Sequence, residues 1–226
     1  MRNVAGLALG LAITSCATAE VLSSGADARV TTVDARVDAR PSVDAPVIPD
    51  APPDACVPAL RQILVNPNFD LAPVGMGWTQ TPASAAEPII VAPPSGITPP
   101  SIANVAWLGG AFNAIDVLSQ DIVVPATATS FEIVGKRLIR SEESGATPFD
   151  TLIITVQSTA GAILATLTTF SNANENPTVA FMPFAFAAPM PFAGQTVRLH
   201  FRSQTDSSLN TNFFLDDIAV NVTACP

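Results

Sequence analysis

The chain from residue 60 onward is predicted to form one all-β domain. Short apolar or alternating runs follow one another there, separated by turn residues, and no stretch shows helical periodicity. This part of the chain is long enough to bury a sizeable core. These observations predict a β-sandwich or barrel over residues 60–226.

The predicted strands are the runs in which β-branched and aromatic residues alternate with polar ones. The clearest hairpin is Thr151–Phe170, where Ala160-Gly161 separates two β-branched runs. The proline-rich segment Pro82–Pro100 is predicted to be a long loop over one end of the domain. The strands are expected near Arg61–Val65, Asn104–Leu108, Val117–Val124, Thr129–Val134, Thr151–Ser158, Ile163–Phe170, Thr178–Phe186, Thr196–Ser203 and Asn212–Val222.

The last predicted strand carries two adjacent carboxylates, Asp216 and Asp217, inside an apolar run. Alternate side chains of a strand share a face. This rule predicts a core face made of Phe214, Asp216, Ile218, Val220 and Val222. A carboxylate on that face is costly unless a cation or backbone N–H donors neutralise it. The sequence does not distinguish between a cation and backbone N–H donors as the partner of this carboxylate.

The first 16 residues have the pattern of an export signal. Arg2 precedes the apolar stretch Val4–Ile13, which is too short to cross a bilayer. The following Ile13-Thr14-Ser15-Cys16 resembles the lipobox of bacterial lipoproteins, which implies a lipid on Cys16. The alternative is an ordinary signal peptide in which Cys16 is inert. Because Ala17 takes the place of the aspartate that favours inner-membrane retention in such families, the resemblance implies an outer-membrane or cell-surface lipoprotein.

Residues 17–59 differ in composition from the rest of the chain. Asp-Ala dipeptides recur, beginning at Asp27 and ending at Asp54, among Val, Arg and five prolines. A segment without aromatic residues cannot bury enough apolar surface to offset its ordering entropy. We expect a disordered low-complexity linker. Calcium binding by the repeated aspartates is a weaker alternative, because the glycines that such turns need are missing.

The formal net charge of −9 argues against a nucleic-acid partner. A catalytic role also finds little support. The chain has one histidine, no G-x-S-x-G motif and no His/Cys metal spacing. Of its paired carboxylates, Asp216-Asp217 lie on a predicted strand, where adjacent residues point to opposite faces, and Glu142-Glu143 lie in a polar, Gly-containing loop. The sequence therefore predicts a protein that is not an enzyme.

Six motifs carry a resemblance to a known superfamily. They are Leu64-Val65-Asn66-Pro67-Asn68-Phe69-Asp70 followed by Gly77-Trp78, then Ala106-Trp107-Leu108-Gly109-Gly110, Leu118-Ser119-Gln120, Val123-Val124-Pro125, Phe192-Ala193-Gly194-Gln195 and Phe213-Phe214-Leu215-Asp216-Asp217-Ile218. In order and spacing they resemble galactose-binding-like jelly-roll domains of the carbohydrate-binding-module type. The resemblance implies a jelly-roll β-sandwich of two antiparallel sheets.

This resemblance also implies a structural calcium ion, Ca²⁺, where the opening loop meets the last strand. By position, its ligands would be Asp70 and one of Asp216 or Asp217, with carbonyls of the Asn66–Asp70 loop. Relatives have Glu where this chain has Asp70, which is one methylene shorter. The alternative is that Asp216 accepts backbone N–H bonds without a metal.

Two groups of side chains are candidates for sugar binding. Trp78 and Trp107 lie in motifs that look structural, so we expect core residues rather than exposed platforms. The second group is basic: Arg198, His200 and Arg202 alternate on one face of a strand, and Lys136 and Arg137 lie elsewhere in the chain. If the basic residues converge, they form a patch suited to a carboxylated or sulfated sugar. The alternative is a solvated strand face whose charges prevent edge pairing.

The two cysteines other than Cys16 flank the domain. Cys56 precedes the first strand and Cys225 follows the last. An exported chain meets an oxidising compartment. Domains of the family that the sequence resembles place their first and last strands side by side, which implies a Cys56–Cys225 disulfide. Two free thiols on frayed ends are the alternative.

Together these observations predict a membrane-anchored lipoprotein of the cell envelope with a non-catalytic glycan-binding β-sandwich. A structural or adhesive envelope protein that contacts other proteins without binding sugar is the alternative function.

Overall fold

The structure, a computed structural model, describes residues 56–226. The predicted signal peptide with Cys16 and the predicted linker as far as residue 55 lie outside the described residues. Within residues 56–226, no helix is long and apolar enough to cross a membrane.

The regular secondary structure of the described chain is almost entirely β-strand. A single turn of 3₁₀ helix at Asn172–Asn174 interrupts them. The strands are β1 Ala59–Gln62, β2 Thr79–Thr81, β3 Ile90–Val91, β4 Val105–Gly109, β5 Ile115–Val123, β6 Glu132–Ser141, β7 Thr151–Ser158, β8 Ile163–Ser171, β9 Met182–Ala187, β10 Thr196–Gln204 and β11 Thr211–Ala224.

These strands form two sheets in which every pair of neighbours is antiparallel. The first sheet has the order β3-β4-β11-β6-β9, with β1 beside the second half of β11. The second has the order β2-β5-β10-β7-β8. The predicted all-β, jelly-roll β-sandwich is confirmed.

All nine predicted strands are present, but some bounds differ and two short strands were missed. The strand predicted at Arg61–Val65 occupies Ala59–Gln62, and the strand predicted at Thr178–Phe186 begins at Met182. The strand predicted at Thr129–Val134 begins at Glu132 and continues to Ser141. The short strands β2 and β3 were not predicted, and β3 lies within the expected loop Pro82–Pro100. The predicted hairpin is confirmed: β7 and β8 pair, and Gly161 turns the chain with a φ of 89°.

The predicted core face of β11 is wrong for Phe214 and Asp216. A β-bulge interrupts the pairing of β11 with β6 between Asp216 and Ala219, and Asp217 has a φ of 50°. The bulge inserts one residue, which reverses the alternation beyond it. Phe213 and Leu215 face the core before the bulge, and alternate residues beginning at Ile218 face it afterwards. Phe214 instead joins a small cluster on the other face of the sheet.

The main core lies between the two sheets. Five phenylalanine side chains with less than 2% exposure fill it: Phe69, Phe131, Phe192, Phe201 and Phe213. Trp78, which was predicted to be a core residue, is 8% exposed and packs between Phe69 and Phe201, with ring centroids 5.3 and 6.1 Å away.

The predicted disulfide between Cys56 and Cys225 is confirmed, with the two Cα atoms 5.7 Å apart. Strand β1 pairs with the end of β11, which brings the two cysteines together. The bond closes a loop with a sequence separation of 169 residues. In the chain-entropy model, a loop of this size stabilises the fold by about 5 kcal/mol.

Candidate binding site

A cavity of about 320 Å³ lies at the end of β4, between the first sheet and the long loop that follows β2. It is within the size range of small-ligand sites. One wall comes from the loop and β3, and the other from the end of β4 and the segment that leads to β5. The lining residues that matter below are Ser84, Glu87, Trp107, Gly109, Gly110 and Asp116.

Trp107 supplies the large aromatic surface of this cavity. The sequence predicted that Trp107 is a core residue. Its side chain instead lies on the outer face of the first sheet and is half-buried. The indole Nε1–H donates to Asn212 Oδ1 at 2.9 Å. The ring packs against Phe214 with a centroid distance of 5.5 Å. These two contacts hold one face of the indole in a fixed position, as stacking on a sugar ring requires.

Gly110 makes room for the contact between Trp107 and Asn212. Its φ is +77°, and a Cβ atom at this position would lie 2.7 Å from Asn212 Oδ1 and 3.0 Å from Trp107 Nε1. A side chain at residue 110 would therefore push the indole away from the amide.

Asp116 holds the two walls of the cavity together. Its side chain is 6% exposed. Its Oδ1 accepts the N–H of Ala83 from the loop at 2.7 Å, and its Oδ2 accepts the N–H of Gly109 from β4 at 2.7 Å. A buried carboxylate that accepts two backbone N–H bonds is a strong, directional link.

The cavity has no positive charge of its own. Its only ionisable lining residues are Glu87, which is exposed, and Asp116. A carboxylated or sulfated ligand would meet repulsion here, whereas a neutral polyhydroxylated ligand would not.

The residues predicted to bind calcium lie around the bulge of β11. Asp216 is fully buried, and its two oxygens accept the N–H groups of Ser101 and Asp217 at 2.8 and 2.7 Å. Burial raises the pKa of the Asp216 carboxyl, and these two hydrogen bonds oppose the shift. Asp217 points away and pairs with Lys136 at 2.9 Å.

Asp70 lies against the same loop as Asp216. Its Oδ1 accepts the N–H groups of Ala103 and Asn104, and its Oδ2 accepts those of Ile102 and the Asn68 side chain, at 2.9 to 3.3 Å. All four oxygens of Asp70 and Asp216 therefore accept N–H bonds. As placed, this donor set fits the hydrogen-bonded alternative better than a calcium ion. Calcium at Asp70, Asp216 and Asp217 stays a prediction.

The basic residues predicted as a patch do not converge. Arg198, His200 and Arg202 lie on β10 in the second sheet, whereas Lys136 and Arg137 lie on β6 in the first. The two strands belong to opposite layers of the sandwich. The condition for a single cationic patch is therefore not met.

Each group of bases also has local partners. Arg198 forms a bidentate salt bridge with Asp121, with N–O distances of 2.6 and 3.0 Å, and this lowers the pKa of the Asp121 carboxyl. Burial, with the neighbouring positive charges of Arg198 and Arg202, lowers the pKa of His200. Arg137 donates to Asn176 Oδ1 at 2.7 Å, and its guanidinium lies over the Phe170 ring at 4.7 Å.

The two pairs of adjacent carboxylates in the sequence do not form paired catalytic groups in the structure. Asp216 and Asp217 diverge at the bulge, and Glu142 and Glu143 lie in the β6–β7 loop. Glu142 accepts the N–H of Asn210 at 3.2 Å.

No protein-family model and no curated protein sequence matches this chain. Solved structures do resemble it. TmCBM61, whose structure was determined with β-1,4-galactotriose, is 12% identical, covers 71% of this chain and 97% of its own, and gives a TM-score of 0.51. The K3 cleaved adhesin domain of Lys-gingipain from Porphyromonas gingivalis W83 is 15% identical, with 72% and 99% coverage and a TM-score of 0.45. A Stig cyclase from Fischerella sp. TAU is 14% identical, with 74% and 100% coverage and a TM-score of 0.47.

The likeness to TmCBM61 shows the fold alone: the domain is a β-sandwich of the kind that carbohydrate-binding modules use.

The sequence motifs contained Trp107 and Gly110 but did not indicate that they line a cavity. Glu87 and Asp116 were not singled out at all. The exposure of Trp107 depends on where the loop between β2 and β4 lies, and no local pattern fixes that position. The adjacent Gly109-Gly110 pair, both with a φ of +77°, was the one available signal of an unusual backbone.

We predict that Gly110→Ala destabilises the domain more than Gly96→Ala does. Both glycines have a positive φ, but a Cβ at Gly96, with a φ of +86°, meets nothing within 4 Å. Both variants share the backbone cost, and only the first adds the collision with Trp107 and Asn212, about 1–3 kcal/mol. Urea denaturation measures the difference. Equal free energies of unfolding would show that Gly110 is not needed for this packing.

Proposed function

We propose that residues 56–226 form a non-catalytic glycan-binding domain and that the cavity beside Trp107 is its binding site. The observation that carries this proposal is the half-buried indole of Trp107, held by Asn212 and Phe214 at the wall of a cavity of ligand size. Aromatic faces stack on the apolar faces of sugar rings, and a pre-positioned ring loses little entropy on binding.

The ligand class that this cavity favours is a neutral sugar. Its lining residues include no lysine, arginine or histidine. Glu87 and the hydroxyl of Ser84 at the rim can accept or donate hydrogen bonds to sugar hydroxyls. This choice differs from the charged sugar expected for a cationic patch, because the bases of that patch lie on separate sheets.

The proposal places the domain outside the cytoplasm. In it, a lipid on Cys16 anchors the protein to the outer membrane or the cell surface, and residues 17–55 connect the lipid to the domain. The motif Ile13-Thr14-Ser15-Cys16 and the Cys56–Cys225 disulfide support this location, since disulfides persist in oxidising compartments.

We predict that Trp107→Ala weakens binding to the neutral galacto-oligosaccharides of a glycan array by roughly thirtyfold in Kd. Losing a stacked aromatic ring costs about 2 kcal/mol, which is roughly thirtyfold in Kd. Arg202→Ala, on the outer face of the second sheet, is the matched control and leaves binding unchanged. Thermal denaturation monitored by circular dichroism establishes that both variants are folded.

Two outcomes of the array would contradict the proposal. Binding that survives in Trp107→Ala and is lost in Arg202→Ala would place the site on the second sheet. No binding by the wild-type domain, together with a co-purifying envelope protein, would favour the adhesive alternative.

We predict that the protein labels with palmitate and enters the detergent phase, and that Cys16→Ala abolishes both. The lipobox resemblance assigns the acyl chain to this thiol, and a protein without it has no lipid anchor. Cys56→Ala is the control, since it breaks the Cys56–Cys225 disulfide but leaves the lipobox intact, and labelling and partitioning are expected to persist. Unchanged detergent partitioning of Cys16→Ala would contradict lipid anchoring.

A further inference from the structure

Two loops at one end of the sandwich bring together several acidic side chains. The β6–β7 loop contains Glu142, Glu143 and Asp150, and the β10–β11 loop contains Asp206 and Asn210. Neither loop, over residues 142–150 and 205–210, contains a basic residue. Backbone hydrogen bonding joins them, since the N–H of Glu142 donates to the Asn210 carbonyl at 2.9 Å.

Asp150 is a buried carboxylate with only half of its hydrogen-bonding capacity used. Its side chain has 0% exposure. Oδ1 accepts the N–H of Asp206 at 2.8 Å, which aims the carboxylate at the β10–β11 loop. Oδ2 has no donor within residues 56–226. An unpartnered buried carboxylate oxygen destabilises the fold, because the group has lost its hydrating water without gaining a donor.

Two further oxygens in the same loops share this condition. Glu143 Oε1 and Asn210 Oδ1 are both shielded from solvent and meet no donor in the described part of the chain. These two and Asp150 Oδ2 are all the buried side-chain atoms without a partner in residues 56–226. Their confinement to one pair of loops indicates a missing common partner.

The three unpartnered oxygens are all acceptors, and two of them belong to carboxylates. Neither loop supplies a basic side chain to neutralise them. A bound cation would satisfy all three oxygens and offset the carboxylate charge.

We propose that Glu143 Oε1, Asp150 Oδ2 and Asn210 Oδ1 are the side-chain ligands of a divalent cation, with calcium as the best match. Calcium takes six to eight hard oxygens from carboxylates, side-chain amides, carbonyls and water. No three Asp, Glu, His or Cys side chains in residues 56–226 are placed to hold a metal by themselves. The site therefore requires the Asn210 amide, and backbone carbonyls and water complete the shell.

This site is separate from the calcium predicted at the opening loop. There the four oxygens of Asp70 and Asp216 already accept N–H bonds, whereas here the oxygens have no donor.

A cation here would also fix one wall of the cavity. The Asp206 carbonyl accepts the N–H of Asn113 at 2.6 Å, and the Thr205 hydroxyl donates to the carbonyl of Ala111 at 2.6 Å. Ala111 lines the cavity beside Trp107. The loop that holds the ion is thereby bonded to the segment that faces the ligand.

The test is isothermal titration of the purified full chain with CaCl₂ after removal of metals with EDTA. We expect saturable binding by the wild type, and a thermal midpoint that rises with added calcium. Asp150→Asn weakens binding by about tenfold or more, because calcium affinity depends on the number of charged ligands. Asp216→Asn, on β11 at the calcium site that the resemblance implies, is the comparison variant. Once thermal denaturation establishes that it is folded, its calcium affinity is expected to equal that of the wild type.

A second measurement separates a metal ligand from a merely structural residue. In calcium-free buffer, Asp150→Asn is expected to melt at or above the wild-type temperature, because its amide keeps the acceptor for Asp206 and replaces an unpartnered charge with a donor. A much lower midpoint without calcium would mean that Asp150 stabilises the loops by itself and would overturn the proposal. The proposal would also be overturned if the wild type did not bind calcium. Calcium binding that is lost in Asp216→Asn but kept in Asp150→Asn would overturn it too.

Discussion

The Asp216 carboxylate at the bulge of β11 is the constraint that positions the first sheet and the loops over it. It accepts the N–H of Ser101, and one residue past the bulge the N–H of Ile218 donates to the Pro67 carbonyl at 2.8 Å. The Ser101 hydroxyl in turn donates to the carbonyl of Asn68 at 3.2 Å. These hydrogen bonds tie the opening loop and the segment before β4 to the central strand. Strand β4, which carries Trp107, follows this segment and pairs directly with β11.

Asp216 is costly to bury, and its position on the outer face of the sheet explains how it is accommodated. On the inner face it would meet only apolar side chains. The bulge places it instead beneath the loop at Ser101, where backbone N–H groups are available. The same inserted residue turns Asp217 outward to Lys136. One extra residue thus separates two adjacent carboxylates and supplies each with its own partner.

The distribution of charge explains why the cavity, rather than the basic residues, is the better candidate site. Arg198 and Lys136 are each paired with a carboxylate, and Arg137 reaches into the gap between the sheets, where burial lowers its pKa. Such pairs contribute little to stability when exposed, but they leave few free charges to bind an anion. The cavity at β4 combines an aromatic face, hydrogen-bonding groups and no cation, which suits an uncharged polar ligand.

Much of the fold could be predicted because strand alternation and turn residues are local signals. The β7–β8 hairpin and the long strands β10 and β11 were recognised in this way. The second half of β6 was missed because Gly135, Lys136 and Arg137 are untypical of a strand, although Arg137 stacks on Phe170 across the sandwich.

The strands β2 and β3 are too short to produce a pattern. The remaining features could not be predicted, because they depend on contacts between distant segments. The bulge of β11 has no sequence signal, because the residue with a positive φ is Asp217 and not a glycine. The exposure of Trp107 depends on the path of a proline-rich loop. The three oxygens without donors belong to Glu143, Asp150 and Asn210. They come from two loops about 60 residues apart in sequence, and only the fold brings these loops together.

Nuclear magnetic resonance offers the most direct test of the central claim that the Trp107 cavity binds the ligand. The chain has two tryptophans, so its spectrum contains two indole N–H signals, and the buried Trp78, bonded to the Asn66 carbonyl at 2.9 Å, is an internal reference. Titration with the oligosaccharide that binds best is predicted to shift the Trp107 indole signal and leave that of Trp78 in place. Shifts confined to the backbone of Arg198, His200 and Arg202, with both indole signals unchanged, would contradict the account.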